Sequence, residues 1–561
     1  MNLKRILALV LALVMVLAFT ACGASGETET KTETETETKT NDDGFEVRET
    51  ELFTTNIVPR GTSYVNNDET TATKKTDANT LVVGGNVSIV KAEPNNSLYC
   101  PELATIYDRL MEYNIATGEY EPMLATKWEQ VDDTTFELWL RDDVYFHNGE
   151  KFTADDVVYS LERLKDTTKD PKWWDQFSVI DIENIEIVDD YHMIYHFNWA
   201  WGNFCAYFSC PWGGVMCREY VEANGEDSFW DAPNGTGPFK QSEIVTGEKV
   251  VMVKNDNYWG ECDPGYDTIV YRFYSDVSTM FIDFEAGNLD VIYQVSPEDC
   301  ERILAGEVAN ANLQTIELGS PYDLNMYMYG DPNTIGDANV RKAIMKSIDT
   351  TTMADVVMGI LGKETKRVVP ASLPYGYDEP YGYDVEGAKE ALAASNYNDG
   401  SILISNNSSR DTSIISELLQ AMCAEVGIDI DIISSDAATH TARSMGVNNG
   451  GVPECDITCF TGLTISSMPQ MFFSQLKTGS GYAIGSTQNE YLNNLFIEAE
   501  QTADEDRIAE IYQEVADILY EQCNMVPIVD VYQGIAYYDY INYWDINWTK
   551  HDVLYHITLA A

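Results

Sequence analysis

The sequence predicts a mixed α/β chain divided into more than one lobe, and two observations carry that prediction. The run from Ile106 to Leu164 reads helix, sheet, helix in close succession. About 480 residues follow Asn79, enough for two or three lobes with substantial cores and too many for one compact domain.

At the N-terminus, Lys4 and Arg5 precede an unbroken apolar run from Ile6 to Ala21. That run is about 16 residues, short of the roughly 20 needed to span a bilayer core, so residues 1–21 read as a signal peptide. It closes on Phe19-Thr20-Ala21-Cys22-Gly23, which resembles a bacterial lipobox, with phenylalanine where leucine is usual. Lipidation is expected at Cys22, placing the chain on the extracytoplasmic face of the cell membrane; the alternative is a secreted protein with an incidental cysteine. From Glu27 to Thr40 glutamate or lysine alternates with threonine, and a polar tract continues to about Asn79. Neither face of such a segment is apolar, so residues 22–79 read as a charge-extended tether.

Leu103, Ile106, Tyr107, Leu110 and Met111 recur at helical spacing and predict a short helix with one buried face. Phe136, Leu138 and Leu140 alternate with Thr135, Glu137 and Trp139, predicting a half-buried strand after the turn at Asp132-Asp133. Asn148-Gly149 marks another turn. Thr153 is placed as an N-cap with Asp156 three residues on, and Val157, Leu161 and Leu164 form the buried stripe of the helix that follows.

The formal net charge is −56, from 91 acidic against 35 basic residues. Such a balance argues against nucleic acid or anionic lipid as partners, and a solubilising acidic surface accounts for it. Eleven cysteines include Cys22, leaving ten for which disulfides and buried thiols are both open. Neither CxxC nor zinc-finger spacing occurs, so no metal is expected. Catalytic motifs are missing as well: no GxSxG elbow, no HExxH, and a glycine-rich 479–487 that lacks the lysine of a phosphate cradle. His192 and His196 would suit a metal on a helix, but Tyr191–Trp199 reads as a strand, which sets them about 13 Å apart. No catalytic residues and no cofactor are expected, and the protein is not read as an enzyme.

Several motifs then recur in order. The Ile106–Leu164 stretch (YDRLMEY, TGEYEPMLATKW, FELWLRDDVYFHNG, TADDVVYSLERL), GTGPFK at 235–240, NDNYWG at 255–260, FIDFEAGNLDV at 281–291 and NVRKAIMKSID at 339–349 resemble the family 5 extracellular solute-binding proteins of ABC importers. The segment EYLNNLF to PIVD near the C-terminus is similar to that family's terminal helix pair and following strand. The resemblance implies a two-lobed, periplasmic-binding-protein-like fold of type II, in the large peptide-binding class, with an extra subdomain in the first lobe. The expected organisation is 80–295 for lobe I with its subdomain, 296–529 for lobe II and 530–561 returning to lobe I. It also implies hinge closure over a short peptide or another small solute, and delivery to an ABC permease powered by ATPase subunits.

Many peptide-binding relatives carry a segment like "D....GW.ADYPDP", whose inner aspartate pairs with the peptide's amino terminus. Here Asp456 to Pro469 reads DITCFTGLTISSMP, without that carboxylate. A saccharide therefore stands beside a peptide as the ligand, and a surface sensor without transport is a further alternative. Loops and segments after strands supply the candidate ligand contacts Asn96, Tyr99, Trp212, Tyr322, Asn325, Phe460 and Leu463. With aromatics at 11% of residues, a stacking or apolar-walled pocket is in keeping with this set.

Overall fold

The computed structural model describes residues 39–40, 46–47, 62–64, 74, 76–86, 92–94, 101–114, 119–166, 177–202, 204–317, 321–365, 382–446, 452–461, 490–502, 504–543 and 554–559. The predicted leader, Cys22, nearly all of the tether and the 479–487 loop lie outside these residues.

The first lobe is built on one mixed sheet. Its strands run Thr62–Tyr64, Ala311–Glu317, Met525–Tyr538, Val291–Val295, Thr80–Gly85, Thr268–Phe273, Lys249–Lys254 and Phe239–Val245, with Phe239–Val245 at one edge. Thr80–Gly85 is parallel to both Thr268–Phe273 and Val291–Val295, while the outer pairings are antiparallel. A central parallel strand is covered on both faces and is therefore continuously apolar, as Leu81, Val82 and Val83 are. Asp290, just before its strand, is fully buried and accepts hydrogen bonds from the Val82 backbone N–H, the Thr76 hydroxyl, the Tyr540 phenol and the Lys74 ammonium. One carboxylate thus ties the segment just ahead of Thr80–Gly85 to the sheet and to the segment after its longest strand.

A subdomain with its own core is inserted in this lobe. Its sheet has the order Ala125–Asp132, Thr135–Leu140, His192–His196, Glu186–Asp189, all antiparallel. Phe136, Leu138 and Leu140 point inward as their alternation predicts, and Phe204 stacks on Phe136 at 4.0 Å. The helix Ala154–Lys165 begins as expected: the Asp156 carboxylate accepts from the Thr153 backbone N–H at 2.9 Å. Its polar face is also engaged, because Ser160 accepts from the Met216 N–H and Arg163 pairs with buried Glu93.

The helix expected over Leu103–Met111 is shorter than its periodicity suggests. It spans Pro101–Ile106, and Met111–Asn114 is already a strand. Leu103 and Ile106 belong to the main core, whereas Leu110 and Met111 belong to the subdomain core. Asp108 lies between them, fully buried, and accepts from the Trp259 indole N–H at 2.7 Å, the Thr236 hydroxyl at 2.9 Å and the Tyr258 phenol at 3.4 Å. Gly235 and Gly237 press against the carbonyls of Ile106 and Thr105, where a Cβ would come within 2.0 and 2.5 Å. The YDRL, GTGPF and YWG motifs therefore meet in one joint between the two cores.

In the second lobe, Ile402–Asn406 lies parallel to Ile430–Ser434 and Ile457–Thr461, and Tyr322–Met326 pairs antiparallel with the latter. The helix Arg410–Val426 is capped by the Ser409 hydroxyl and closed by Gly427 in the left-handed region. Arg341, of the VRKA motif, is buried without a carboxylate; its guanidinium donates to the carbonyls of Gln522, Ile335 and Gly336.

Two segments run side by side through both lobes. Ala311–Glu317 pairs with Tyr532–Tyr538, and Tyr322–Asn325 pairs with Met525–Val529 of the same long strand. The first set of pairs reaches Glu317 opposite Tyr532, the second begins at Tyr322 opposite Val529, and residues 318–320 lie outside the described residues. The short strand Gly362–Glu364 pairs with Val529–Val531.

Nine described cysteines are free thiols, Cys205, Cys210, Cys217, Cys262, Cys300, Cys423, Cys455, Cys459 and Cys523. Burial pushes the Cys205 and Cys423 thiols up to about 12, which withholds the thiolate that exchange and metal binding require.

Candidate functional site

The site follows from where parallel strands end. In open α/β sheets ligands lie beyond the carboxyl ends of the strands, and pockets favour boundaries between domains. In the first lobe Val291–Val295 ends at Ser296, which caps the helix Pro297–Leu304. In the second, Ile402–Asn406 ends just before Ser409, which caps the helix Arg410–Val426. The two ends meet: Arg410 Nη2 lies 3.3 Å from Glu298 Oε1, and Arg410 Nη1 donates to Asp411 Oδ1 at 2.9 Å. The Tyr322 phenol, on the two-lobe ribbon, donates to Asp411 Oδ2 at 2.9 Å. Burial first, then the Asp411 carboxylate, hold that phenol well above its ordinary range, so it stays a hydrogen-bond donor at any physiological pH.

Backbone strain marks the same two strand ends. Gln294 at φ 63° and Ser408 at φ 60° occupy the left-handed region without being glycine. Such residues cost about 1–3 kcal/mol each and persist where surrounding contacts over-determine them. At Ser408 those contacts are its backbone N–H to Asn406 Oδ1 at 3.0 Å and its hydroxyl to the Ser435 carbonyl at 2.8 Å.

The ribbon has two unlike faces in the first lobe. Gly534 faces the helix Pro297–Leu304, where a Cβ would come within 2.5 Å of the Cys300 sulfur, so that face is closed. The register places Asn312, Gln314 and Ile316 on the opposite face with Gln533, Ile535, Tyr537 and Tyr293.

The expected ligand contacts are placed as follows. Tyr322 stands at the junction. Asn325 is buried on the same strand and its amide donates to Asp323 at 2.7 Å, but strand alternation sets it on the face opposite Tyr322. Phe460 pairs through its backbone with Asp323. Trp212 is 2% exposed within the subdomain core, its ring 6.5 Å from Tyr207, and is not brought to the ribbon. Asn96, Tyr99 and Leu463 lie outside the described residues. Gln314, Gln533, Arg410, Asp411 and Glu298 were not anticipated. A signal existed for Gln533, which interrupts a strand that is otherwise mostly apolar and buried, but none for Gln314, whose strand ANLQTIE is half polar.

Asp456 has a structural part. Its carboxylate accepts from the Leu403 N–H at 2.9 Å, and its own N–H donates to the Leu403 carbonyl, pinning two strands of the second lobe. Asp456→Ala should lower stability by about 1–2 kcal/mol while leaving affinity for a neutral solute unchanged. Denaturant melts and titration calorimetry read both; a large loss of affinity at full stability would contradict it.

Among the described residues, no three metal-ligating side chains stand together. His192 and His196 lie on a strand and pair with Glu137 at 2.7 Å and Glu186 at 2.9 Å.

The family model for bacterial extracellular solute-binding proteins, family 5, middle region, matches residues 119–482. The dipeptide-binding protein of Escherichia coli is 24% identical over 462 residues, covering 76% of this chain and 84% of that protein. Heme-binding protein A of Haemophilus influenzae is 24% identical over 457 residues, covering 75% and 81%. Among solved structures, the periplasmic binding protein DppA of Helicobacter pylori, in complex with the peptide STSA, superposes with a TM-score of 0.72 at 22% identity, covering 86% of this chain and 98% of that one. NikA of Brucella suis, in complex with Fe(III)-EDTA, gives 0.76 at 22% identity, covering 86% and 99%. The likeness to these structures establishes the two-lobed fold.

Proposed function

The chain belongs to the bacterial extracellular solute-binding proteins, family 5, and we propose that it captures short peptides, or another small neutral solute, between its lobes and delivers them to an ABC permease. The observation that supports this reading is the junction itself: Glu298 and Arg410, each at the start of a helix that follows a strand end, meet at 3.3 Å, and Tyr322 of the shared ribbon bonds Asp411 beside them. A solute touching both lobes then favours the closed state over the open one by its extra contacts.

The dipeptide-binding relative favours peptide as the solute class. The uncharged, amide- and tyrosine-bearing face of the ribbon favours a saccharide as the second reading, because sugars combine stacking with hydroxyl hydrogen bonds. Lipid attachment at Cys22 would hold the receptor at the membrane beside its permease and ATPase subunits, with residues 22–79 as the tether.

Native mass spectrometry of the mature chain, gently purified from its host, tests the reading. An excess mass of a few hundred daltons that fragments into amino acids would support a peptide receptor, and a hexose ladder the saccharide. No adduct, together with no closure in small-angle scattering across peptide and sugar panels, would sink both.

A further inference from the structure

We propose that Gln314 and Gln533 form the polar floor of the solute site, and that the group they take is a neutral hydrogen-bonding one, an amide or a hydroxyl. The inference rests on the receptor reading above and goes further by assigning residues and ligand chemistry. Both side chains are more than nine-tenths buried. Gln314 lies opposite Ile535 and Gln533 opposite Ile316, so the two amides are diagonal neighbours on one face of adjacent strands. No hydrogen bond to another described residue engages either amide. Each amide carries both donor and acceptor capacity, and neither is among the fully enclosed polar atoms that lack a partner, so both border accessible space. Two such groups side by side, at the end of the first-lobe ribbon nearest the junction, are built to receive a partner.

The surroundings decide its charge. Around the two glutamines this face carries Asn312, Ile316, Tyr293, Ile535 and Tyr537, all uncharged; the charged Glu364 comes further along, opposite Val529. A charged group of the solute would lose its hydration here without gaining a counter-charge, whereas an amide or hydroxyl exchanges water for the two carboxamides. A peptide backbone and a sugar share this chemistry.

Titration calorimetry of the full chain, stripped of bound solute, against a panel of neutral tripeptides and neutral disaccharides distinguishes the two sources. For whichever class binds, Q314L/Q533L should weaken affinity by about 30-fold or more, and each single change by about 10-fold. The ligand-free melting temperature of the double variant should hold or rise, because no internal hydrogen bond is lost. Affinity within threefold of wild type, or a matching fall in ligand-free stability, would overturn the assignment of the two amides alone. A wild type that binds no member of either panel would overturn the receptor reading, and this assignment with it.

Discussion

Replacing Asp290 by alanine is expected to destabilise the protein by about 3–5 kcal/mol, the range for removing one partner from a buried charged network. Four donors converge on that carboxylate from three parts of the chain. Without it, the Lys74 ammonium is left in a site where burial already lowers its pKa against the pull of Asp290. The Tyr540 phenol and the Val82 N–H lose their acceptor as well. Guanidinium unfolding of wild type and Asp290→Ala measures the cost, and a second variant, K74M/D290L, shows its origin. Removing both charges together should recover much of the loss, because well-packed apolar groups can replace a buried pair. A single-variant loss under 1 kcal/mol would contradict this account of the node.

The second large effect is a pH dependence at the joint between the cores. Burial raises the Asp108 carboxyl to about 6, against the partial opposition of its bonds to Trp259 and Thr236 and of nearby Arg109. A carboxyl held above its ordinary value favours folding fully below about pH 4, and that contribution is lost as the pH rises through 6. The shift corresponds to about 2–3 kcal/mol, so the stability of wild type relative to Asp108→Asn should fall by that much between pH 4 and pH 7. Asp156, raised to about 6 by burial, acts in the same direction. His147, whose ring bonds the Gly237 carbonyl in the same joint, acts oppositely: burial lowers it to about 4, so its contribution is full above about 6.5 and lost as the pH falls through 4. The raw profile of the wild type therefore mixes both signs, and only the difference against the asparagine variant isolates Asp108. A difference that stays flat from pH 4 to pH 7 would contradict the assignment.

What neighbouring residues decide was legible before the fold was known. The strand Thr135–Leu140, the turn at Gly149 and the capped helix Ala154–Lys165 stand as their periodicity and caps predict, because those signals are local. Family membership was legible too, since it rests on the order of motifs along the chain. The meaning of those motifs was not. Asp108 meets Thr236 across 128 residues and Trp259 across 151, and this joint, not helix propensity, ends the helix at Ile106. The site was the least legible part. Tyr322 and Asn325 looked alike as candidates, yet strand alternation turned them to opposite faces, and Trp212, an aromatic suited to stacking, went to the subdomain core. Gln314 and Gln533 became a pair only because two distant strands adopted one register in which both amides share a face. Local pattern selects helix, strand and turn through contacts a few residues apart; a binding floor is made by pairing between remote segments, and that pairing exists only in the folded chain.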